Sequence, residues 1–360
     1  MTARRQVAFW LAGMAVFGLL LFLLADILLP FVAGMAVAYL LDPIADRLES
    51  WGLSRTMATV VITVLFMVVT LGALFLLLPV LYNQALDLIG RAPAIVGALR
   101  DYFLSLSEGL FESLAPDQIE RAREALAGFT EEIVGWLLGF GEGLWRSGLA
   151  LVNLIAMLFI TPIVSFYLLR DWDHLTARTD ALLPRKHARV IREQAAKIND
   201  TLAGFVRGQG LVCLILGLFY AVGLSLAGLD FGLIVGLSAG ALSFIPYVGA
   251  ITGFLVGVIL AFLQFDDLLR VGAVALVFVI GQLLEGNFLS PKLVGERVGL
   301  HPVWVIFGAF AGAALFGLVG VLLAVPATAV IGVLVRFAIE RYETSALYRG
   351  DGGDAGDSPP

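Results

Sequence analysis

The chain has 360 residues, of which 60% are hydrophobic and only 14% are charged. A soluble fold of this length could not bury so much apolar surface, so the composition predicts an all-α, polytopic membrane protein. The net charge of −6 argues against nucleic acid as a partner. The single cysteine, Cys213, excludes a disulfide framework and a cysteine-based metal site.

The first half of the chain alternates apolar runs with charged segments. Four runs are candidate membrane segments: residues 7–24, 27–41, 57–81 and 149–169. Arg4 and Arg5 precede the first run as in a signal peptide, but no clean cleavage site follows, so we expect an uncleaved helix. We expect the Asp42-Pro43 pair to end the second helix, because proline disfavours helix at the residue before it.

Two long segments between the apolar runs are expected outside the membrane. Residues 82–147 predict an extracytoplasmic insert of amphipathic helices that lies on the membrane surface or on a partner subunit. Residues 170–207 predict a basic cytoplasmic loop that includes a short helix. The chain is then expected to form one membrane domain, 1–349, followed by a disordered tail, 350–360. Basic residues near the spans predict a multi-pass protein of the cell inner (cytoplasmic) membrane with both termini cytoplasmic.

Glycine recurs at every fourth residue in two runs that flank Pro246. The runs are Gly232, Gly236 and Gly240, then Gly249, Gly253 and Gly257. On a helix this spacing leaves a groove without side chains, which lets helix backbones approach closely in lipid. Pro246 predicts a break between the two runs.

The two glycine-bearing arms are shorter than a bilayer is thick. Residues 232–244 would make about 20 Å of helix and residues 249–265 about 25 Å, against a hydrocarbon core of about 30 Å. We therefore expect a re-entrant helical hairpin whose tip is enclosed by protein or by a water-filled cavity. The alternative is two ordinary membrane helices joined by a proline turn.

The C-terminal part repeats this layout. After an apolar run at 271–284 and a polar link at 286–302, residues 303–337 form two apolar arms. Shifting the chain by 72 residues pairs residues 236–244 with residues 308–316 at four glycine, alanine and phenylalanine positions. The sequence thus predicts about eight apolar segments with one or two re-entrant hairpins, the second being either a hairpin or two full spans.

Glu285 is the first candidate functional residue, because it lies at the end of an apolar run with amide side chains near it. Gln282 precedes it by about one helical turn and Asn287 follows two residues later. A carboxylate there could bind a cation, carry a proton or hold polar groups of a substrate. The alternative is a helix-ending carboxylate at the water interface.

Tyr247 and Thr252 flank the predicted hairpin tip and could present hydroxyls to a substrate. They could equally do no more than satisfy backbone groups that Pro246 leaves free.

The motif Gly236-Leu-Ser238-Ala-Gly240 matches the G-x-S-x-G signature of serine hydrolases. No histidine lies in an apolar run to serve as a base, and the glycines already fit the packing period. The sequence also lacks HExxH and GxxxxGK[ST], so we expect no enzyme, no catalytic residue, no cofactor and no metal site.

Three motifs resemble the autoinducer-2 exporter family of bacterial membrane permeases: FIPYVGAITG at 244–253, LEGNFLSPKLVGERVGLHP at 284–302 and YLLDPI at 39–44. The resemblance implies a secondary transporter that is often multimeric. Family members are associated with export of a small, sugar-like signalling molecule, and others with exchange of sodium or lithium for protons. By position it implicates seven residues: Pro246, Tyr247, Gly249, Gly253, Glu285, Asn287 and Pro291.

The sequence therefore favours a secondary transporter that exports a small polar molecule, coupled to an ion or proton gradient. A sodium or lithium/proton antiporter is an alternative, and a membrane scaffold or assembly protein is an alternative of another class. The expected partners are a small polar solute, a monovalent cation and protons, membrane lipids and further copies of the chain.

Overall fold

The computed structural model describes residues 18–110, 148–245, 247–294 and 301–349, together with positions 12, 13, 16 and 128. All the regular structure in these ranges is helical, which confirms the all-α prediction. In chain order the helices are α1 (Ala25–Ser50), α2 (Arg55–Leu110), α3 (Gly148–Ala181), α4 (Ala188–Leu226), α5 (Gly232–Leu242), α6 (Val248–Gln264), α7 (Leu268–Leu284), α8 (Pro302–Glu343) and α9 (Ala346–Arg349). A π-helical segment, Glu285–Val294, continues α7 without interruption.

Six helices in the described ranges are long and apolar enough to cross a membrane, namely α1 to α4, α7 with its π-helical continuation, and α8. The apolar helices α5 and α6 are shorter, with 11 and 17 residues. The chain is therefore a polytopic membrane protein, as predicted. Eight positions of the first predicted apolar run, 7–24, lie outside the described residues, as do most of the second half of the 82–147 insert and the 350–360 tail.

Several predicted boundaries differ from the structure. The predicted span 57–81 does not end at residue 81, because α2 continues through the first part of the 82–147 insert to Leu110. Helix α1 does not end at Asp42-Pro43 but continues to Ser50. Residues 170–207 are mostly helical rather than a loop, since α3 reaches Ala181 and α4 begins at Ala188. The start of the predicted polar link 286–302 is the π-helical segment. Polar residues without apolar periodicity give no helix signal in the sequence, although here they continue apolar helices.

The described helices belong to two compact units. The first unit comprises Met1–Thr63, Ile160–Gly210 and Ser290–Pro360, and the second comprises Val64–Phe159 and Leu211–Leu289. Several long helices contribute residues to both units.

Arg55 joins three helices in the first unit. Its guanidinium is paired with Asp42 at 2.9 Å, Asp46 at 2.6 Å and Glu49 at 3.4 Å, all on α1. Its Nε also donates to the carbonyl of Leu169 on α3 at 2.9 Å. The cluster fixes the start of α2 against the C-terminal end of α1 and the middle of α3.

Arg207 explains how α1 continues through Pro43. Proline has no N–H, so the carbonyl four residues earlier, on Tyr39, loses its helical partner. The Nε of Arg207 on α4 donates to that carbonyl at 2.7 Å, and its Nη2 lies 3.3 Å from Asp42. The tertiary contact supplies the hydrogen bond that the proline removes.

The last long helix, α8, is bent back on itself. Phe316 and Gly317 have non-helical backbone angles, with a positive φ of 56° at Gly317 that suits glycine. A Cβ at Gly312 would overlap the backbone of Gly320, and a Cβ at Gly320 would overlap Gly312. The arms on either side of the bend therefore pack face to face without side chains between them.

Candidate functional site

Helices α5 and α6 form an antiparallel hairpin in the second unit. Its open end is held by Gln264, whose Oε1 accepts from the Asp230 N–H at 3.0 Å and whose Nε2 donates to the Gly228 carbonyl at 2.8 Å. Gln84 of α2 caps the start of α5 by accepting from the Ile234 N–H at 3.1 Å. These hydrogen bonds pin the two arms together at the end opposite the tip.

The tip of the hairpin has a strained residue. Tyr247 has φ 68°, the one left-handed non-glycine backbone among the described residues. For a bulky side chain this conformation costs roughly 1–3 kcal/mol and persists only where the surroundings impose it. The Tyr247 side chain is exposed, and its neighbour Pro246 lies outside the described residues.

Thr252 has a local role at the tip. Its hydroxyl donates to the backbone carbonyl of Val248 at 2.6 Å, with Gly249 O at 3.3 Å. This is the pattern expected of a threonine that hydrogen-bonds within its own helix.

The first glycine run faces α4, not the other arm of the hairpin. A Cβ at Gly236 would overlap the backbone of Ala221, and one at Gly240 would overlap Gly217. Gly232 meets the backbone of Leu224 and Ser225 in the same way. The three glycines let the first arm lie directly on the C-terminal half of α4.

The second glycine run faces both α5 and α7. A Cβ at Gly249 would overlap α5 at Ala239, and Gly253 meets the same residue. Gly253 and Gly257 also pack on the ring of Phe278 in α7. The second arm therefore lies between the first arm and α7.

The packing of α6 on α7 indicates where the tip lies relative to Glu285. Gly253 and Gly257 both contact Phe278, and Gly257 also reaches Val274, so the two helices run antiparallel. Continuing this register by one to two turns brings Tyr247 to the level of Glu285. The strained tip and the carboxylate thus belong to the same end of the second unit.

Glu285 is half-buried where α7 gives way to the π-helical segment. Short π-helical stretches occur preferentially at functional sites. In the part of the chain that the structure describes, no group donates a hydrogen bond to its carboxylate and no cation pairs with it. About 27 Å of helix separates it from Asp267 at the start of α7, so the two carboxylates lie at opposite ends of this helix.

The other predicted residues near Glu285 are more exposed. Gln282 and Pro291 are exposed. Asn287 is exposed too, and its Nδ2 donates to the carbonyl of Leu283 at 3.0 Å. The structure thus gives Asn287 a local partner and leaves Glu285 as the half-buried, unpaired member of this set.

Sequence reasoning did not single out Tyr220 on α4, which lies beside this end of the second unit. Its ring packs on Phe278 with centroids 4.9 Å apart and lies against the backbone of Gly281, where a Cβ would be 2.6 Å from the hydroxyl oxygen. Its side chain is fully buried, and its hydroxyl has no hydrogen-bond partner in the described residues. A tyrosine in an apolar run has no sequence signal that separates it from a core aromatic.

The serine-hydrolase motif is explained by packing. Gly236 and Gly240 are buried against α4, while Ser238 between them is exposed. Within the described residues no group of three or more histidine, cysteine or acidic side chains could hold a metal ion.

Comparison with known proteins gives the class of protein. Residues 9–340 match the family model described as AI-2E family transporter. The chain is 30% identical to "Putative transport protein YrrI" of Bacillus subtilis over 86% of each chain. It is 28% identical to "Putative permease PerM" of Escherichia coli K12 over 88% of this chain and 89% of that one. It is 24% identical to "AI-2 transport protein TqsA" of Escherichia coli K12 over 88% and 86%. Because the family model covers nearly the whole chain, this protein belongs to the AI-2E transporter family, a family of transporters and not of enzymes.

Proposed function

We propose that this protein is a secondary transporter of the cell inner membrane that exports a small polar molecule, driven by an ion or proton gradient. Membership of the AI-2E transporter family supports the transport role. The name of the relative TqsA makes the signalling molecule AI-2 one member of the solute class to test.

One observation carries the choice of site. Glu285 is a half-buried carboxylate, without a partner among the described residues, at the end of the second unit that also holds the hairpin tip. Ionisable groups are costly within a membrane protein, and those retained there usually bind an ion, a proton or a substrate. Glu285 therefore serves as the binding or coupling carboxylate, with the backbone of the hairpin tip near it.

The hairpin provides the moving part. Its tip carries the strained residue Tyr247, a feature that often accompanies binding and switching segments. Broken helices with tips inside the bilayer line many transporter sites. Gly249 and Gly253 allow the second arm to pack close enough for the tip backbone to reach the solute.

The test is transport by the purified protein in liposomes, with Glu285→Gln as the variant. Export of AI-2 or exchange of protons should fall at least 10-fold, because the variant retains shape and hydrogen bonding but cannot ionise. Asp266→Asn is the matched control, since Asp266 is an exposed carboxylate of the same unit and its loss should leave transport unchanged. Glu285→Gln protein that inserts, folds and transports at the wild-type rate would remove Glu285 from the mechanism.

The two alternatives give different results in the same system. A sodium or lithium/proton antiporter would acidify or alkalinise the liposomes, as read by a pH-sensitive dye, when a sodium gradient is applied without organic solute. A scaffold would keep its cellular function in Glu285→Gln and lose it when residues 95–140 of the insert are deleted.

A further inference from the structure

We propose that the hydroxyl of Tyr220 is part of the same binding site as Glu285 and donates a hydrogen bond to an oxygen atom of the transported solute. The inference rests on the proposed function and names a residue and a solute chemistry for it. Neither the sequence motifs nor the family resemblance pointed to Tyr220.

The first observation is the unpaired hydroxyl itself. Tyr220 is 0% exposed, and no described residue hydrogen-bonds to its oxygen. Buried polar groups are nearly always paired, and an unpaired one costs stability that phenylalanine would avoid. The ring packs well on Phe278, so packing accounts for an aromatic residue here but not for its hydroxyl.

The second observation is the direction in which the hydroxyl points. It lies against Gly281, where a Cβ would be 2.6 Å from the oxygen. Any side chain at this position would displace the phenol, so the glycine makes room for it. Helix α7 therefore brings its bare backbone, and not a side chain, to the Tyr220 hydroxyl.

The third observation is the spacing of Gly281 and Glu285 on α7. They are four residues apart, which places them on one face of the helix with about 5–6 Å between Cβ positions. Helical side chains lean toward the N-terminus, so the Glu285 side chain extends over the turn that contains Gly281. The carboxylate and the phenol therefore lie over the same turn of α7.

The two groups do not hydrogen-bond to each other, since the Tyr220 oxygen has no partner among the described residues. A molecule held between them would satisfy both, with the phenol donating to one of its oxygens and the carboxylate accepting from one of its hydroxyls. This arrangement fits a small hydroxylated or carbonyl-bearing solute. A site built to pair buried polar groups with such a solute discriminates strongly against analogues that lack the oxygen.

The experiment compares Tyr220→Phe with wild type in two measurements, the apparent melting temperature and the export of AI-2 from liposomes. We expect the variant to melt at the same temperature as wild type or higher, because an unpaired hydroxyl is removed and the ring is kept. We expect the AI-2 concentration for half-maximal export to rise at least 10-fold, with a smaller change in the maximal rate.

Thr63→Val is the matched control. Thr63 has the other buried hydroxyl without a partner in the described part of the chain, and it belongs to the first unit. This variant should likewise not lower the melting temperature, but it should leave the half-maximal concentration unchanged.

Three results would overturn the inference. A Tyr220→Phe variant that melts several degrees lower would show that the hydroxyl has a structural partner. A Tyr220→Phe variant whose AI-2 concentration for half-maximal export is unchanged would show that the Tyr220 hydroxyl does not bind the solute. If the wild-type protein exports no AI-2 and only exchanges sodium for protons, the proposed export function is wrong and so is the role of Tyr220 in it. If the wild-type protein does export AI-2, the comparison with Tyr220→Phe tests the role of Tyr220 alone.

Discussion

The packing of the hairpin on α4 can be tested by two glycine-to-alanine substitutions that look alike in the sequence. Gly236 and Gly272 both lie within apolar helices, in α5 and α7. A Cβ at Gly236 would overlap the backbone of Ala221, whereas a Cβ at Gly272 would meet nothing within 4 Å. The two variants should therefore change stability in opposite directions.

The expected difference follows from two effects. Alanine in place of a helical glycine contributes about 0.5–1 kcal/mol by reducing the entropy of the unfolded chain. Gly272→Ala should show this gain alone. At Gly236 the same gain is opposed by overpacking, which typically costs about 1–3 kcal/mol, and the upper part of that range applies because the obstacle is backbone. The two variants should then differ by about 2–3 kcal/mol.

The assay is thermal unfolding of the two purified variants and wild type in one detergent. Unfolding of membrane proteins from detergent is often irreversible, so all three must be heated at one scan rate. At about 2 °C per kcal/mol for a large chain, Gly272→Ala should melt about 1–2 °C above wild type and Gly236→Ala about 3–4 °C below it.

The result that would refute this reasoning is equal stabilisation of both variants. It would mean that α5 and α4 are not in backbone contact at Gly236, and the proposed close packing of the hairpin would be wrong. If Gly236→Ala failed to express while Gly272→Ala expressed normally, that outcome would agree with a backbone obstacle, which no side-chain substitution on α4 removes.

The hydrogen bonds of Arg207 and of Gln264 give two further testable predictions. Arg207→Met should lower the free energy of unfolding by about 2 kcal/mol, because it leaves the Tyr39 carbonyl unpaired. The loss should be distinctly smaller in a Pro43→Ala background, where the helix supplies that hydrogen bond again. A double-mutant cycle of unfolding free energies measures the difference, and additive effects would contradict the prediction. Gln264→Leu should release the open end of the hairpin and speed amide hydrogen exchange near Asp230 at least 10-fold. Exchange near Tyr247 should stay unchanged. Protection retained at Asp230 would show that Gln264 is dispensable.

The two short helices and the break between them could be predicted because each depends on local chemistry. Pro246 interrupts the helix, and residue counts alone limit each arm to less than a bilayer thickness. Helix α5 ends at Leu242 and α6 begins at Val248, on either side of that proline. How the hairpin is placed in the membrane stays a prediction.

The helices that pack on the glycines could not be predicted, because a helix face without side chains carries no sequence signal for the element that contacts it. Gly236 and Gly240 pack on α4, whereas Gly312, the counterpart of Gly240 in the 72-residue comparison, packs on the second arm of its own bent helix. Both bends nevertheless include the aligned phenylalanines, since Phe244 lies in the turn after α5 and Phe316 has non-helical backbone angles. The comparison left open whether residues 303–337 form a hairpin or two full spans, and it gave no information on the packing around the bend.

Pro43 and Tyr220 show a second limit of sequence reasoning. The helix through Pro43 depends on Arg207, a residue 168 positions from the carbonyl that it binds, so no local pattern could reveal it. Tyr220 could not be distinguished from a core aromatic until the burial of its hydroxyl was known. In both cases the missing information is the pairing of a polar group, which only tertiary structure supplies.

The glycine contacts also restrict how the proposed hairpin motion could work. Backbone lies on backbone between α5 and α4, and the ring of Phe278 fills the groove of α6 at Gly253 and Gly257. Packed helices joined this closely slide or bend little, so the hairpin does not move alone but with the C-terminal half of α4 and with α7. Tyr220 and Glu285 belong to those two helices and keep their spacing during such a motion. In the proposed mechanism, coupling would then depend on binding of solute or a proton at these two side chains, and not on bringing them together or apart.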